Sequence, residues 1–237
     1  MPLSIQNKRI LITGSTDGLG KALAIELSKL GAKIIIHGRN EEKAKEVVKL
    51  LEGDNHSYII CDFKNPRNIE QKFSEITELD ILVNNTGVWD ERNTVDVEVE
   101  KIIEMVNVNT TSYLITSRIL LPVISKSEYG QILNISSVAG IEIPFDTYHT
   151  VYSATKFALQ GYSEALEKEY KDKNVRIMGF YPSGMNTKIF EKAGMGYSLN
   201  EPWMFDVSES VEAIIFMLTR SKKVNIKRLD LINHIEK

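Results

Sequence analysis

The sequence predicts an α/β fold, a doubly wound parallel β-sheet of about seven strands with helices on both faces. Short β-branched runs alternate with helical stretches of apolar periodicity along nearly the whole chain, which is the pattern of βαβ units and a parallel sheet. Glycine and polar residues follow several of the predicted strands, at the carboxyl edge where such sheets bind ligands. No linker rich in proline, glycine or serine divides the 237 residues, so we predict one domain over residues 1–237.

Composition and charge exclude several classes of function. A net charge of −3, with lysine and glutamate interleaved rather than blocked, provides no positive field for nucleic acid or an anionic membrane. No stretch approaches the roughly 20 apolar residues that span a bilayer, and the first residues lack the apolar core of a signal peptide. The expectation is a cytoplasmic protein with neither a nucleic-acid partner nor a membrane partner.

The histidines and the cysteine do not indicate a metal site. His37, His56, His149 and His234 are scattered without the spacing of metal ligands, so no metal is predicted. Cys61 is the single cysteine and cannot form an internal disulfide; its place at the end of an apolar run predicts a buried thiol. Of these residues, only His149 is a candidate to face a substrate.

A glycine-rich loop follows the first predicted strand. Residues 13–20 read Thr-Gly-Ser-Thr-Asp-Gly-Leu-Gly and lead into a helix predicted over residues 21–30. Gly14 permits a tight turn, Gly18 allows close backbone approach, and Gly20 lets the helix pack on the strand. The loop therefore suits a dinucleotide whose pyrophosphate sits on the free N–H groups of the helix start. A plain turn between strand and helix is the alternative.

The second predicted strand, residues 33–37, is followed by Gly38 and Arg39. At this place in the fold a carboxylate would accept a hydrogen bond from a free ribose 2′-hydroxyl, whereas an arginine suits a 2′-phosphate. Gly38 carries no charge and Arg39 supplies a cation, which favours NADP(H) over NAD(H). An ordinary solvated arginine is the alternative.

Two further strands are predicted at residues 57–61 and 79–83, and polar residues follow each of them. Asp62 comes directly after the first, and Asn85 comes shortly after the second. Because the carboxyl ends of parallel strands meet at one edge of a sheet, we expect these side chains to share a site with the glycine loop and the arginine.

One long helix is predicted over residues 94–121, and it carries Asn107 and Asn109 near its middle. An asparagine is unfavourable inside a buried helix unless its amide is hydrogen-bonded. These residues therefore need a polar partner that the local sequence does not supply.

Tyr152 and Lys156 lie about one turn apart in a helix predicted to end near residue 171, so their side chains point to the same side. A phenol normally titrates near pH ~10, and a neighbouring ammonium favours the phenolate and lowers that pKa. The pair therefore suits proton transfer. A packed tyrosine beside a solvated lysine is the alternative.

The other predicted elements complete the sheet and its cover. Strands are predicted at residues 130–135, 175–180 and 224–232, the last at an edge, and a helix at residues 207–218. The segment 188–206, which contains aromatic residues and two glycines, is predicted to be a mobile lid over the substrate.

At this point the chain resembles the compact branch of the short-chain dehydrogenase/reductase family over nearly its whole length. Residues 13–20 match the Thr-Gly-x-x-x-Gly-x-Gly loop of that family, and residues 84–87 are similar to its Asn-Asn-Ala-Gly motif. Residues 182–187 resemble the Pro-Gly-x-x-x-Thr segment that borders the nicotinamide. The four catalytic positions resemble Asn109, Ser137, Tyr152 and Lys156. The resemblance implies a Rossmann-type sheet.

Several departures from the family pattern are visible. Thr86 replaces the usual alanine and Ser183 the usual glycine, and Ser137 and Tyr152 are fifteen residues apart rather than about thirteen. Asp17 stands where many NADP-preferring members carry a basic residue, so the preference for NADP(H) rests on Arg39. The chain also ends without the Val-Asp-Gly-Gly run that is common in the family. Ser136 is an alternative candidate for the catalytic serine, but the family pattern favours Ser137.

The resemblance implies reversible hydride transfer between NADP(H) and a carbonyl or secondary alcohol. Tyr152 would exchange the proton, and Lys156 would lower its pKa and hold the nicotinamide ribose. Ser137 would stabilise the substrate oxygen, and Asn109 would hold a water that links the lysine to solvent. The cofactor-binding residues are then expected to be Gly14, Ser15, Thr16, Gly18, Leu19, Gly20, Arg39, Asp62, Phe63, Asn85, Thr86, Gly87, Tyr152, Lys156, Pro182, Ser183, Met185 and Thr187.

In this family the substrate is bordered by segments that here contain aromatic and apolar residues. They are Trp89, Phe145, Tyr148, Met195, Tyr197 and Trp203. The same resemblance places the helices from Thr94 and Tyr152 in a homodimer interface, with a tetramer as the larger alternative. Two other readings remain open: a non-catalytic protein that binds NADP(H) as a regulator or scaffold, and a longer sugar-nucleotide enzyme, which the chain length disfavours.

Overall fold

The computed structural model describes residues 3–143 and 149–234. Seven strands within these ranges form one sheet in the order β3-β2-β1-β4-β5-β6-β7, and every neighbouring pair is parallel. The strands are β1 Arg9–Ile12, β2 Lys33–Gly38, β3 Ser57–Ile60, β4 Ile81–Asn84, β5 Gln131–Ile135, β6 Arg176–Pro182 and β7 Arg228–Leu231. The predicted fold class, a seven-stranded doubly wound sheet, is confirmed.

Helices cover both faces of the sheet. They are α1 Gly18–Lys29, α2 Glu41–Val48, α3 Arg67–Phe73, α4 Val99–Val106, α5 Ser112–Ile124, α6 Thr150–Glu169, α7 Ile189–Lys192 and α8 Val207–Leu218. Apolar residues of α1, α2 and α8 pack on one face, and residues of α3, α5 and α6 pack on the other. Alternation along β1 shows the division, since Ile10 and Ile12 face the first layer and Leu11 the second.

The predicted helix over residues 94–121 is wrong at both ends and in its middle. Residues 93–96 form a turn, in which the Asp96 N–H donates to the Asn93 carbonyl at 2.9 Å. Helix α4 begins only at Val99, a π-helical turn occupies Asn107–Thr111, and α5 continues to Ile124. π-Turns of this kind often occur at functional sites, and this one holds Asn109.

The edge strand β7 is shorter than the predicted 224–232. Residues before Arg228 bind β6 through isolated contacts, such as the Asn225 side chain donating to the Ile177 carbonyl at 3.2 Å, rather than through a regular ladder. Cys61 is buried, as predicted. Within the described ranges no helix has the length and apolarity to cross a bilayer, and no three His, Cys, Asp or Glu side chains converge to hold a metal ion.

Candidate active site

A cleft of about 1630 Å³ lies along the carboxyl edge of the sheet. This volume exceeds the ~300–1,000 Å³ of a site for one small ligand, so it has room for two. The loops after β1, β2, β3, β4, β5 and β6 all contribute to its lining. Most of the residues predicted from the sequence meet here: Gly14, Thr16, Gly18, Leu19, Arg39, Asp62, Phe63, Asn85, Thr86, Gly87, Ser137, Tyr152, Lys156, Pro182, Ser183, Met185 and Thr187.

Three predicted residues, Ser15, Gly20 and Asn109, lie behind the lining instead. The Ser15 hydroxyl donates to the Ile12 carbonyl at 2.7 Å, and its N–H donates to the His37 carbonyl at 2.9 Å. A Cβ at Gly20 would lie 2.5 Å from the Asn85 side-chain nitrogen and 2.6 Å from the Gly14 carbonyl. Gly20 thus allows the helix to pack on the loop itself, rather than on the strand as predicted.

The buried amide of Asn109 is satisfied by the backbone after β4. Its Oδ1 accepts from the Val88 N–H at 2.8 Å, and its Nδ2 donates to the Val88 carbonyl at 2.9 Å and to the Thr155 hydroxyl at 3.2 Å. These bonds supply the polar partners that a buried asparagine needs. They also attach the cleft wall to the π-helical turn between α4 and α5 and to α6.

The glycine loop is shaped by two residues with positive φ, Gly14 at +65° and Gly18 at +52°, a conformation that favours glycine. Between them Asp17 caps α1, with its Oδ1 accepting from the Gly18 N–H at 2.8 Å. Its Oδ2 pairs with Lys192 Nζ at 2.6 Å. Burial opposes ionisation of Asp17, but the Lys192 ammonium and the Gly18 N–H outweigh it and hold the pKa below its usual value.

His37 supports the same loop from below. Its Nδ1 accepts from the Gly14 N–H at 3.1 Å, and its Nε2 lies 3.1 Å from the Cys61 carbonyl. Nε2 must therefore carry the proton, and the ring is neutral. Burial lowers the pKa of His37 to about 4, and the ring stacks on Phe63 with centroids 4.2 Å apart. The sequence did not predict that His37 would lie beneath the loop, because no local motif includes it.

Strand β2 ends at Gly38, which carries no charge, and the next residue is the cationic Arg39. A Cβ at Gly38 would lie 2.5 Å from the Thr16 methyl carbon, so a side chain at this position would require Thr16 to move. Arg39 is exposed and lines the cleft directly after it. The arrangement can bind a phosphate group and lacks a carboxylate at the residue where a ribose diol would be held.

The turn after β4 is hydrogen-bonded to the end of β1. The Asn85 N–H donates to the Thr13 hydroxyl at 2.8 Å, and the Asn85 side chain donates to the Thr13 carbonyl at 2.8 Å. The neighbouring Thr86 hydroxyl is buried in the cleft wall and finds no partner among the described residues. A buried hydroxyl without a partner costs free energy, so this atom is suited to receive a hydrogen bond from a ligand or water.

Ser137, Tyr152 and Lys156 converge at one end of the cleft. The Ser137 side chain is hydrogen-bonded with the Tyr152 phenol, whereas the Ser136 hydroxyl donates to the Lys156 carbonyl at 3.1 Å. Of the two serines, only Ser137 therefore presents its hydroxyl to the phenol. Lys156 Nζ donates to the Ile135 carbonyl at 3.2 Å and lies 5.5 Å from the centre of the Tyr152 ring.

Burial controls the protonation of this pair. It raises the pKa of Tyr152 to about 12, against a smaller lowering by the Ser137 hydrogen bond. It lowers the pKa of Lys156 to about 7. The predicted lowering of the phenol pKa by the ammonium is not produced by these residues alone, because low-dielectric surroundings disfavour both charged forms. At neutral pH the phenol is protonated and can donate.

Ser183 fits its place without the glycine that the motif usually has. It is not among the residues with positive φ, so its backbone needs no glycine. Its N–H donates to the Leu231 carbonyl at 2.8 Å, and its Oγ accepts from the Asn233 N–H at 3.0 Å. The serine therefore ties this wall of the cleft to the end of β7.

With this geometry in place, comparison with known proteins decides the family. The family model described as short chain dehydrogenase matches residues 8–197 of the chain. The chain belongs to the short-chain dehydrogenase family. It is 29% identical over 229 residues to an uncharacterized oxidoreductase of Staphylococcus aureus strain N315, a match that covers 95% of this chain and 96% of that protein.

Solved structures superpose closely on this short-chain dehydrogenase. An alcohol dehydrogenase of the archaeon Thermococcus sibiricus, complexed with 5-hydroxy-NADP, matches with a TM-score of 0.87 and 20% identity, covering 98% of this chain and 99% of that one. A closed form of serine dehydrogenase complexed with NADP+ matches with a TM-score of 0.84 and 27% identity over 95% and 94% of the two chains. The family model thus shows the family, and the solved structures show the fold.

Proposed function

We propose that this protein is an NADP(H)-dependent oxidoreductase that interconverts a carbonyl compound and a secondary alcohol, with Tyr152 as the proton donor and acceptor. The observation that carries the proposal is the meeting of Ser137, Tyr152 and Lys156 at one end of a cleft whose other end is the glycine loop. Proton transfer and dinucleotide binding are thus adjacent in one cavity.

Each side chain has a distinct part in the proposed step. The Tyr152 phenol is held protonated by burial and hydrogen-bonded with Ser137, so it can protonate the carbonyl oxygen as negative charge develops there. The Ser137 hydroxyl donates to the same oxygen and stabilises it. Lys156, buried and close to Tyr152, holds the nicotinamide ribose and supplies positive charge when protonated. Asn109 keeps the wall beside them in position.

The residues of the cleft fit a dinucleotide. The two positive-φ glycines have no side chain at the turn positions, the Thr86 hydroxyl lacks a partner among the described residues, and Arg39 is an exposed cation after β2. When bound, the nicotinamide would supply or accept the hydride. Five of the similar solved structures are complexes with NADP(H) or a close analogue of it, which supports the phosphorylated cofactor.

Replacing Arg39 tests the cofactor preference. We expect Arg39→Ala to weaken NADPH binding about tenfold, or ~1.4 kcal/mol, because a charge-assisted hydrogen bond to the 2′-phosphate is lost. NADH binding should hardly change. Titration of each cofactor, followed by nicotinamide fluorescence, measures both dissociation constants. Lys43→Ala removes an exposed cation of the neighbouring helix α2 and serves as the control. Equal losses in the two variants, or no NADPH preference in the parent, would contradict the assignment.

The segment 188–206 is proposed to close over the substrate. Its polar side-chain contacts to the rest of the cleft include Lys192 to Asp17 at 2.6 Å and the Tyr197 hydroxyl to Glu91 at 2.9 Å. Both contacts are partly exposed and can break at little cost. They span the cleft at its glycine-loop end and near Trp89, which is where a lid must be held and released.

We further propose that the protein is a homodimer. Helix α4 exposes Val99, Ile103 and Val106, which are 63%, 54% and 42% accessible and lie on one side at helical spacing. Leu114 of α5 and Phe157 of α6 are also partly exposed. An apolar stripe of this kind on adjoining helices is typical of an interface between subunits.

Light scattering tests the dimer. The expected mass is twice 26.9 kDa, and Ile103→Asp should shift it towards the monomer because it places a charge in the apolar stripe. Leu50→Asp, which changes an exposed leucine after helix α2, is the matched control and should leave the mass unchanged. A parent protein that is strictly monomeric would remove this proposal and leave the enzymatic one intact.

A further inference from the structure

Five rings form a continuous wall on the substrate side of the cleft, which we call the ring wall: Trp89, His149, Phe190, Tyr197 and Trp203. Phe190 is at its centre. Its ring meets Trp89 with centroids 4.7 Å apart and Trp203 with centroids 5.1 Å apart, at interplanar angles of 85° and 81°. Tyr197 and Trp203 meet at 5.4 Å and 83°. Edge-to-face contact of this kind is the preferred geometry of aromatic pairs.

The ring wall reaches the candidate acid directly. Trp89 lies edge-on to the Tyr152 ring with centroids 6.4 Å apart, and His149 does so at 5.9 Å. Burial lowers the pKa of His149, so this ring carries no charge at neutral pH. A carbonyl held at the Tyr152 hydroxyl therefore has aromatic surface beside it. Phe145 and Tyr148, the other predicted aromatic neighbours, lie outside the described residues.

The rings of the ring wall come from several parts of the chain. Trp89 follows β4 and is 9% exposed, and Phe190 lies on α7. A Cβ at Gly184 would overlap the Trp203 ring, so this indole lies close against the backbone of residues 182–187. The outer rings Tyr197 and Trp203 remain 37% and 38% exposed. A substrate ring placed against them would bury apolar area that is now in water.

The charges near the ring wall disfavour an anionic substrate. Tyr197 donates to Glu91, a carboxylate that lines the same part of the cleft. Lys192 is paired with Asp17 at the glycine loop, and Lys188 is exposed at the lid start. A carboxylate is thus in hydrogen-bond contact with the ring wall. A carboxylate or phosphate on the substrate would be repelled by it and would lose hydration among the rings.

From this surface we infer the substrate class: an uncharged ketone or aldehyde, or the matching alcohol, that carries an aromatic ring within one or two bonds of the reacting carbon. The inference rests on the proposed oxidoreductase function. Beyond that function, it assigns the substrate preference to an edge-to-face contact between the substrate ring and the ring wall beside Tyr152. Specificity is then a difference in transition-state binding between aromatic and non-aromatic carbonyls.

Reduction of three ketones by NADPH separates the effect of the substrate's aromatic ring from the effect of its charge. We expect kcat/KM for 1-phenyl-2-propanone to exceed that for 2-butanone, which lacks the ring, by at least tenfold. It should exceed the value for phenylpyruvate, which keeps the ring and adds a carboxylate, by a similar factor. Trp203→Leu should reduce the preference for the aromatic ketone over 2-butanone at least fivefold. Phe216→Leu, which changes an exposed ring of α8 outside the cleft, is the control and should preserve the preference.

A binding measurement keeps this inference separate from the proposed turnover. Trp89 and Trp203 are the two tryptophans of the chain, and both belong to the ring wall, so intrinsic tryptophan fluorescence reports on it alone. Titration with 1-phenyl-2-propanone should change the emission saturably, and 2-butanone over the same range should not. If the emission saturates but no ketone is reduced, the proposed reaction fails and the aromatic site stands. If 2-butanone or phenylpyruvate is preferred, the aromatic inference is overturned while the oxidoreductase stands.

Discussion

Replacing Tyr152 by phenylalanine is expected to lower kcat for ketone reduction by at least ~10², the lower end of what a positioned general acid contributes. The phenol is protonated at neutral pH, since burial raises its pKa to about 12, and it is hydrogen-bonded with Ser137. Phenylalanine keeps the ring and its contact with Trp89 but removes the transferable proton. NADPH affinity should therefore stay within a few-fold of the parent.

The control for this experiment lies on the same helix. Tyr162→Phe removes a hydroxyl from a partly buried tyrosine of α6 that does not line the cleft, and it should leave kcat nearly unchanged. Fluorescence titration with NADPH shows that both variants are folded and bind cofactor. Turnover of the Tyr152 variant close to that of the parent would exclude the tyrosine as the acid. No turnover in the parent, with NADPH bound, would favour the non-catalytic reading.

The largest expected loss of stability comes from a buried polar network beneath the cleft. Asn84 Nδ2 donates to Asn134 Oδ1 at 2.9 Å and to the Ser117 hydroxyl at 3.2 Å, and its Oδ1 accepts from the Thr116 hydroxyl at 2.8 Å. Asn134 Nδ2 in turn donates to the Ser163 hydroxyl at 2.9 Å. The network joins β4 and β5 to helices α5 and α6, and all these residues are buried.

Asn84→Ala should reduce the free energy of unfolding by about 3 kcal/mol. The change leaves Asn134 Oδ1 without its partner, at a cost of roughly 1–3 kcal/mol for a buried unsatisfied group, and it opens a cavity. Urea unfolding followed by circular dichroism measures the difference. Asn93→Ala, at an exposed position, should stay within about 0.5 kcal/mol. A loss below about 1 kcal/mol at Asn84 would mean that water or local relaxation replaces the missing amide.

The elements with continuous apolar runs could be predicted well from the sequence. Helix α8 occupies Val207–Leu218 as predicted, and the strands β1, β2, β4, β5 and β6 fall where their β-branched runs stand. The helical region before β5 was predicted less well, as one helix over residues 94–121. Its late start depends on a turn at residues 93–96, and its π-turn depends on Asn109 binding the backbone of Val88. The turn is local, whereas the Asn109 contact is a tertiary one of the kind that overrides local propensity.

Within the site, motifs predicted the residues that line the cleft and missed those that act across long separations. His37 contacts Gly14 because β1 and β2 are paired, and Lys192 meets Asp17 although 175 residues separate them. No local pattern in the sequence predicts either contact. The family resemblance favoured Ser137 over Ser136, and the side-chain directions at the end of β5 give the physical reason, since the Ser136 hydroxyl is bound to the Lys156 carbonyl.

The sequence by itself determined the fold class, the order of strands and helices, and the set of polar residues at the carboxyl edge, because these follow from periodicity, glycine placement and motif spacing. The tertiary structure alone decided the protonation of Tyr152 and Lys156, the partner of Asn109 and the ring wall. These features depend on burial and on contacts between elements far apart in the chain. A pKa is set by the dielectric surroundings of a group, and those surroundings exist only once the chain has folded.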